Sequence, residues 1–123
     1  MNKMKSLDLY QACQKIVIEV GAIIETEKER EYKIIRKSRK ELVTEIDLIV
    51  QSYVTKSLGA ISDCGILYEE DKRQSSKILS KECFIIDPID GTHNLVAGLP
   101  FYNISIGYVK NNAIIFGLIY FPD

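Results

Sequence analysis

The sequence predicts an α+β domain in which two amphipathic helices precede a mainly antiparallel sheet. Three observations carry that reading. Apolar residues recur at helical spacing from Leu9 to Ile24 and again from Ile46 to Leu58. From Gly65 onward the apolar runs are short, rich in Ile, Phe and Tyr, and bounded by polar turns. Helices and strands are segregated rather than alternating, which implies packed layers and not a βαβ winding. A chain of 123 residues has room for one hydrophobic core, so residues 1–123 are read as a single domain.

In the first helix Leu9, Cys13, Ile16, Val17, Val20 and Ile24 share a face, with Ser6 as the expected N-cap. The pattern fades in the charged run from Glu25 to Glu31. Lys33 to Glu41 is basic and irregular, with Ile34 and Ile35 suited to a short strand. Thr44-Glu45-Ile46-Asp47 fits a capping box, Asp47 standing where glutamate is usual, so a second helix is expected to open there. Its apolar face comprises Ile46, Ile49, Val50, Tyr53, Val54 and Leu58, and Gly59 is the expected stop. Strands are expected from Gly65 to Tyr68, Cys83 to Ile86, Ile104 to Val109 and Ala113 to Phe121. Asn111-Asn112 forms a two-residue hairpin turn, and Asp71 to Lys81 a polar loop. Nothing follows Asp123 to cover the second face of the last strand, so the domain is expected to be incomplete.

Composition narrows the function classes. Hydrophobic content of 46% and charged content of 27% describe an ordinary globular chain. A formal charge of −1 offers no general attraction to nucleic acid or an anionic membrane, and neither is an expected partner. No apolar stretch is long enough to span a bilayer, and Met1 to Tyr10 lacks the apolar centre of a signal peptide. Cys13, Cys64 and Cys83 form no C-x-x-C pair; reduced core filler in a cytoplasmic protein is their expected role, with no reactive thiol. Lys33, Arg36, Lys37, Arg39 and Lys40 read first as solvated surface, with steering of a phosphorylated substrate as the weaker reading.

Chemistry concentrates in Asp87-Pro88-Ile89-Asp90-Gly91-Thr92, directly after the apolar run Phe84-Ile85-Ile86. Asp-Pro-x-Asp-Gly is by itself a good β-turn. Two carboxylates at the end of a buried strand, however, repel and are costly to bury unless a cation neutralises them. Hard oxygen donors suit Mg²⁺. If Gly91 and Thr92 open a helix, their N–H groups can hold a phosphate. Glu69-Glu70 also follows an apolar run and reaches the same cation if its strand neighbours the one ending at Asp87. Asp47, fixed at a helix start, can orient a hydroxyl such as that of Thr92. His93 is the one histidine, in a polar turn, and receives no catalytic role. An EF-hand is excluded because Gly98 stands where its last glutamate belongs. A haloacid-dehalogenase-type nucleophile needs its second aspartate two residues on, whereas Asp90 lies three after Asp87.

Leu42-Val43-Thr44 through Asp47, Tyr68-Glu69-Glu70-Asp71, Asp87 through Thr92 with Asn94-Leu95, and Gly98-Leu99-Pro100-Phe101-Tyr102-Asn103-Ile104-Ser105-Ile106-Gly107 together resemble the inositol monophosphatase family. The likeness runs from about Leu42 to Tyr120 and covers the family's N-terminal half. It implies the N-terminal portion of a layered α-β-α-β-α fold and Mg²⁺-dependent hydrolysis of a small phosphorylated metabolite. On this resemblance Glu69, Asp87, the Ile89 carbonyl and Asp90 bind metal. Glu70 and Thr92, with Asp47 behind the threonine, position the attacking water, and the amides of Gly91 and Thr92 hold the phosphate. His93-Asn94-Leu95 looks more like the inositol monophosphatase branch, with its fructose-bisphosphatase relatives, than the nucleotide-bisphosphate branch. Inositol monophosphate, or fructose 1,6-bisphosphate, is the implied substrate. Tyr68 stands where the family usually has a small residue, and a ring there is expected to crowd the site. The absent half would supply a further metal-binding aspartate, most contacts to the substrate's organic part, and covering layers. The alternative expectation is a non-catalytic remnant or split-gene half, with a second polypeptide or a homodimer as partner.

Overall fold

The computed structural model describes residues 5–36, 38, 41–68 and 82–122. Helix α1 spans Ser6–Glu27 and buries Leu9, Cys13, Ile16, Val17, Val20 and Ile24, the face its spacing marks out. Ser6 is not the N-cap. That place belongs to Lys5, whose carbonyl accepts from the Leu9 N–H at 3.0 Å with no side-chain cap. Ser6 is already one residue inside the helix, and Asp8 provides the negative charge that suits a first turn.

Strands β1 (Ile34–Arg36) and β2 (Leu42–Thr44) form an antiparallel pair, with Ile34 opposite Thr44. The sequence points to β1 but not to β2, whose three residues are too few for an alternation to register. Two bonds fix the pair to the next helix. The Glu45 N–H donates to the Lys33 carbonyl at 3.0 Å, and the Lys33 N–H donates to Glu45 Oε1 at 2.5 Å.

Helix α2 covers Glu45–Gly59 and buries Ile46, Val50, Val54 and Leu58. Ile49 lies on the flank of that stripe and is exposed, contrary to its expected place. The helix does not stop on a left-handed glycine either. Gly59 is its last residue and Ala60 caps it at φ −76°, while the Ile61 and Ser62 N–H groups fold back onto the Leu58 carbonyl. Ordinary right-handed turning therefore ends the helix, and Gly59 supplies no special geometry.

The described sheet runs β3 (Gly65–Tyr68), β4 (Glu82–Asp90), β5 (Asn103–Lys110) and β6 (Ala113–Tyr120) in that order. The β3–β4 pair is parallel and the other two are antiparallel. On β5 the alternation holds from Asn103 to Tyr108: Ile104, Ile106 and Tyr108 are buried toward the helices, while Asn103, Ser105 and Gly107 take the other face; Val109 beyond them is buried as well. Phe84 and Ile86 of β4 join them beneath α2. The Phe84, Tyr108 and Phe116 rings succeed one another at centroid distances of 5.2 Å, continuing the core toward β6. Where α1 passes β6, a Cβ on Gly21 would lie 2.7 Å from the Tyr120 ring, so the close approach depends on glycine. Asn111 and Asn112 turn β5 into β6 with φ of 53° and 63°, the geometry of a type I′ hairpin and a conformation asparagine tolerates.

Strand β4 is longer than the apolar run that marks it. Asp87-Pro88-Ile89-Asp90 is not a β-turn but the last part of the strand. Asp87 pairs with Ser105 and Asp90 with Asn103, so three steps along β4 match two along β5. Pro88 cannot donate to the ladder, and the extra residue is absorbed as a bulge. After Gly91, residues Thr92–Val96 make the short helix α3.

Candidate functional site

The bulge decides where the two aspartates point. In a regular strand, residues three apart project from opposite faces. The extra residue restores the phase, so Asp87 and Asp90 leave β4 on the same face, beside Ser105 and Asn103. Ile86 and Ile89 correspondingly both turn inward and are buried. Asp90 is exposed, and its Oδ2 accepts from Asn103 Nδ2 at 3.3 Å.

A second cluster lies where α2, β2 and α3 meet. Thr44 is fully buried and forms a complete capping box with Asp47. Asp47 Oδ2 accepts from the Thr44 N–H at 2.8 Å and from Thr44 Oγ1 at 2.7 Å. Its other oxygen, Oδ1, accepts from Thr92 Oγ1 at 3.0 Å, bridging 45 positions of sequence. Thr92 is 9% exposed and its hydroxyl also lies 3.5 Å from the Ile89 carbonyl. The carboxylate that caps the start of α2 thus also accepts from the threonine that starts α3.

Gly91 joins these clusters. Its φ of 96° is left-handed, and a Cβ would meet the Phe101 carbonyl at 2.7 Å. Its own carbonyl accepts from the Asn94 and Leu95 N–H groups at 3.0 and 3.1 Å. Asn94 Nδ2 donates to the Phe101 carbonyl at 2.8 Å and closes the loop from α3 to β5. Asn94 and Asn103 carry geometry that the sequence marks only as family-like residues; a side-chain amide gives no periodic signal by which to find its partner.

Glu69 and Glu70 lie outside the described residues, as do Lys37, Arg39 and Lys40 of the basic cluster and the loop from Asp71 to Lys81. Tyr68, immediately before the glutamates, pairs with Ile86, immediately before Asp87, so β3 and β4 are the neighbours that a shared cation requires. The Tyr68 side chain engages α2. Its hydroxyl is bonded to Thr55 Oγ1 and donates to the Gln51 carbonyl at 3.4 Å, which turns the ring under α2. Among the described residues no group of three acidic, histidine or cysteine side chains is placed to hold a metal. What they do provide is two carboxylates leaving β4 on one face beside Asn103 and Ser105, oxygen donors of the kind a hard cation takes.

The thiols stand apart from this chemistry. No disulfide joins Cys13, Cys64 or Cys83, and burial pushes the Cys13 thiol up to about 12. No helix among the described residues is long and apolar enough to cross a membrane.

The model of the inositol monophosphatase family matches residues 6–122. Inositol monophosphatase 1 of Sus scrofa is 31% identical over 121 residues, covering 92% of this chain and 44% of the relative. A fructose-1,6-bisphosphatase/inositol-1-monophosphatase of Thermotoga maritima is 38% identical over 84 residues, 68% of this chain and 31% of the relative. The solved inositol monophosphatase of Thermotoga maritima superposes with a TM-score of 0.78 at 32% identity, covering 94% of this chain and 44% of its own. The chain thus spans less than half the length of these relatives, and the folds agree across the part it spans.

Proposed function

The chain belongs to the inositol monophosphatase family, and on that premise we propose that it carries the metal-binding and water-orienting part of a Mg²⁺-dependent phosphatase acting on a small phosphate monoester. The observation that carries the reading is the Thr92–Asp47 hydrogen bond beside a pair of aspartates brought to one face by a strand bulge. Asp87, Asp90 and the Ile89 carbonyl, with Glu69, would hold Mg²⁺. When bound, the cation supplies neutralising charge for the phosphate and a more acidic water. The Thr92 hydroxyl donates its hydrogen bond to Asp47, which would leave the Oγ1 lone pairs as acceptors for the attacking water. Glu70 would share that task. The N–H groups of Gly91 and Thr92 would take the phosphate oxygens. Inositol 1-phosphate is the first substrate to test and fructose 1,6-bisphosphate the second, since one relative bears both names. Three cysteines outside any disulfide suit a reducing compartment, so the cytoplasm is the proposed location.

A second reading gains support from two facts. The chain spans under half the length of its relatives, and β6 presents Ile114 and Ile119 at 80% and 63% exposure. On this reading the chain is an incomplete domain that works only with a complementing polypeptide or a second copy. One assay separates the two: Mg²⁺-dependent phosphate release from inositol 1-phosphate, by the chain alone and mixed with the C-terminal half of the Thermotoga maritima relative. Activity in either arm that drops about 100-fold or more in Asp90→Asn supports the metal assignment. An Asp90→Asn rate within a fewfold of wild type overturns it. Activity in the mixed arm alone supports complementation.

A further inference from the structure

We propose that Asn103 is a positioning residue for the Asp90 carboxylate, an inference that rests on the metal reading above. Asn103 opens β5 and is the cross-strand partner of Asp90. The two side chains leave the same face of the sheet because the β4 bulge has already restored the phase there. The Asn103 amide then donates to Oδ2 of Asp90 at 3.3 Å. Asp90 is exposed and ends the bulge, so its strand geometry alone fixes its carboxylate poorly; the amide supplies a fixed second point. With Oδ2 held, Oδ1 is the oxygen presented to a cation. A neutral donor suits this task better than a cation, which would compete with the metal for the carboxylate charge. The helix face of β5 needs Ile104, Ile106 and Tyr108 for packing, whereas Asn103 is free of that duty. Residues that orient a metal ligand in this way typically contribute about 10- to 100-fold in metal affinity.

The test is Mn²⁺ affinity, read by calorimetry and electron paramagnetic resonance on the chain as it stands, for wild type, Asp90→Asn, Asn103→Leu and the double variant Asp90→Asn/Asn103→Leu. Thermal melting without metal is followed in parallel. Asn103→Leu keeps the side chain's size, removes the donor, and is expected to weaken Mn²⁺ binding about tenfold. The discriminating result is coupling: in the Asp90→Asn background, Asn103→Leu costs nothing further, which a purely structural role would not produce. Additive losses, or unchanged affinity in Asn103→Leu, overturn the role of Asn103 while leaving the metal site standing. Wild type that binds no Mn²⁺ either alone or mixed with the C-terminal half of the Thermotoga maritima relative, or Asp90→Asn that binds as tightly as wild type, overturns the metal reading and this inference together.

Discussion

The Thr92 hydroxyl donates to Asp47 Oδ1 at 3.0 Å, and Asp47 is itself held by two bonds from Thr44. Removing the donor while keeping the shape is therefore a clean change. Thr92→Val is expected to lower phosphate release about 100-fold in whichever arm of the assay is active, with substrate KM little altered, because water orientation acts in the reaction step. Unchanged turnover in Thr92→Val would remove the hydroxyl from the chemistry. A second residue-scale prediction concerns pH. Burial, reinforced by the bond to Glu25, pushes the Tyr102 hydroxyl up from 10.0 to about 12. A raised folded value means that stability is intact below pH 10 and is lost as pH climbs through about 12. Tyr108 shifts in the same direction, for the same first cause with Glu82 as partner. Melting temperature should thus fall across that alkaline interval and fall less steeply in Tyr102→Phe. At this scale the sequence is most informative about which residues are candidates, since Asp47, Asp87, Asp90 and Thr92 all stand out by type and spacing. It is least informative about which residue holds which, because partners such as Asn103 and Tyr68 Oη find their mates only through the fold.

Among the elements, both long helices and all four strands of the described sheet are legible in the sequence, because their apolar periods differ and each packs one apolar face toward the core, β6 only partly. The hairpin at Asn111-Asn112 is legible for a local reason, the tolerance of asparagine for positive φ. The end of β4 is not. Asp-Pro-x-Asp-Gly has turn chemistry, yet its ladder partners on β5 keep it in the sheet and convert the surplus residue into a bulge. Local preference loses to cross-strand pairing. The exit from the bulge is equally strict: Gly91 is left-handed and closes to 2.7 Å, measured from its missing Cβ, on the Phe101 carbonyl. Gly91→Ala is expected to destabilise the fold by about 1–3 kcal/mol, measured by chemical denaturation, through positive φ and the forced shift of backbone. A loss below a few tenths would show that the α3–β5 loop relaxes freely.

For the whole molecule the balance of faces matters more than any one site. The helices cover one side of the sheet over β4 and β5, burying Ile104, Ile106 and Tyr108 at no more than 2% exposure, and leave Phe116, Leu118 and Tyr120 of β6 half-buried. β6 is the outer strand of the described sheet, and its residues from Ala113 to Tyr120 include no charge and no proline. Protected edges normally carry one or the other, since an open row of N–H and C=O groups invites pairing. Ile114 and Ile119 add apolar surface beside that edge. Association of the chain through β6 at micromolar concentration is the expected consequence, detectable by sedimentation velocity. Ile114→Lys/Ile119→Lys should return it to a monomer, by charge repulsion and loss of apolar area, while leaving the metal-free melting temperature within a few degrees because neither side chain reaches the core. Should wild type sediment as a monomer across the same range, the β6 edge is protected in solution and complementation through it loses its physical basis. Should the variant still associate, the contact lies elsewhere, with exposed Leu99 and Phe101 in the α3–β5 loop the next surface to change.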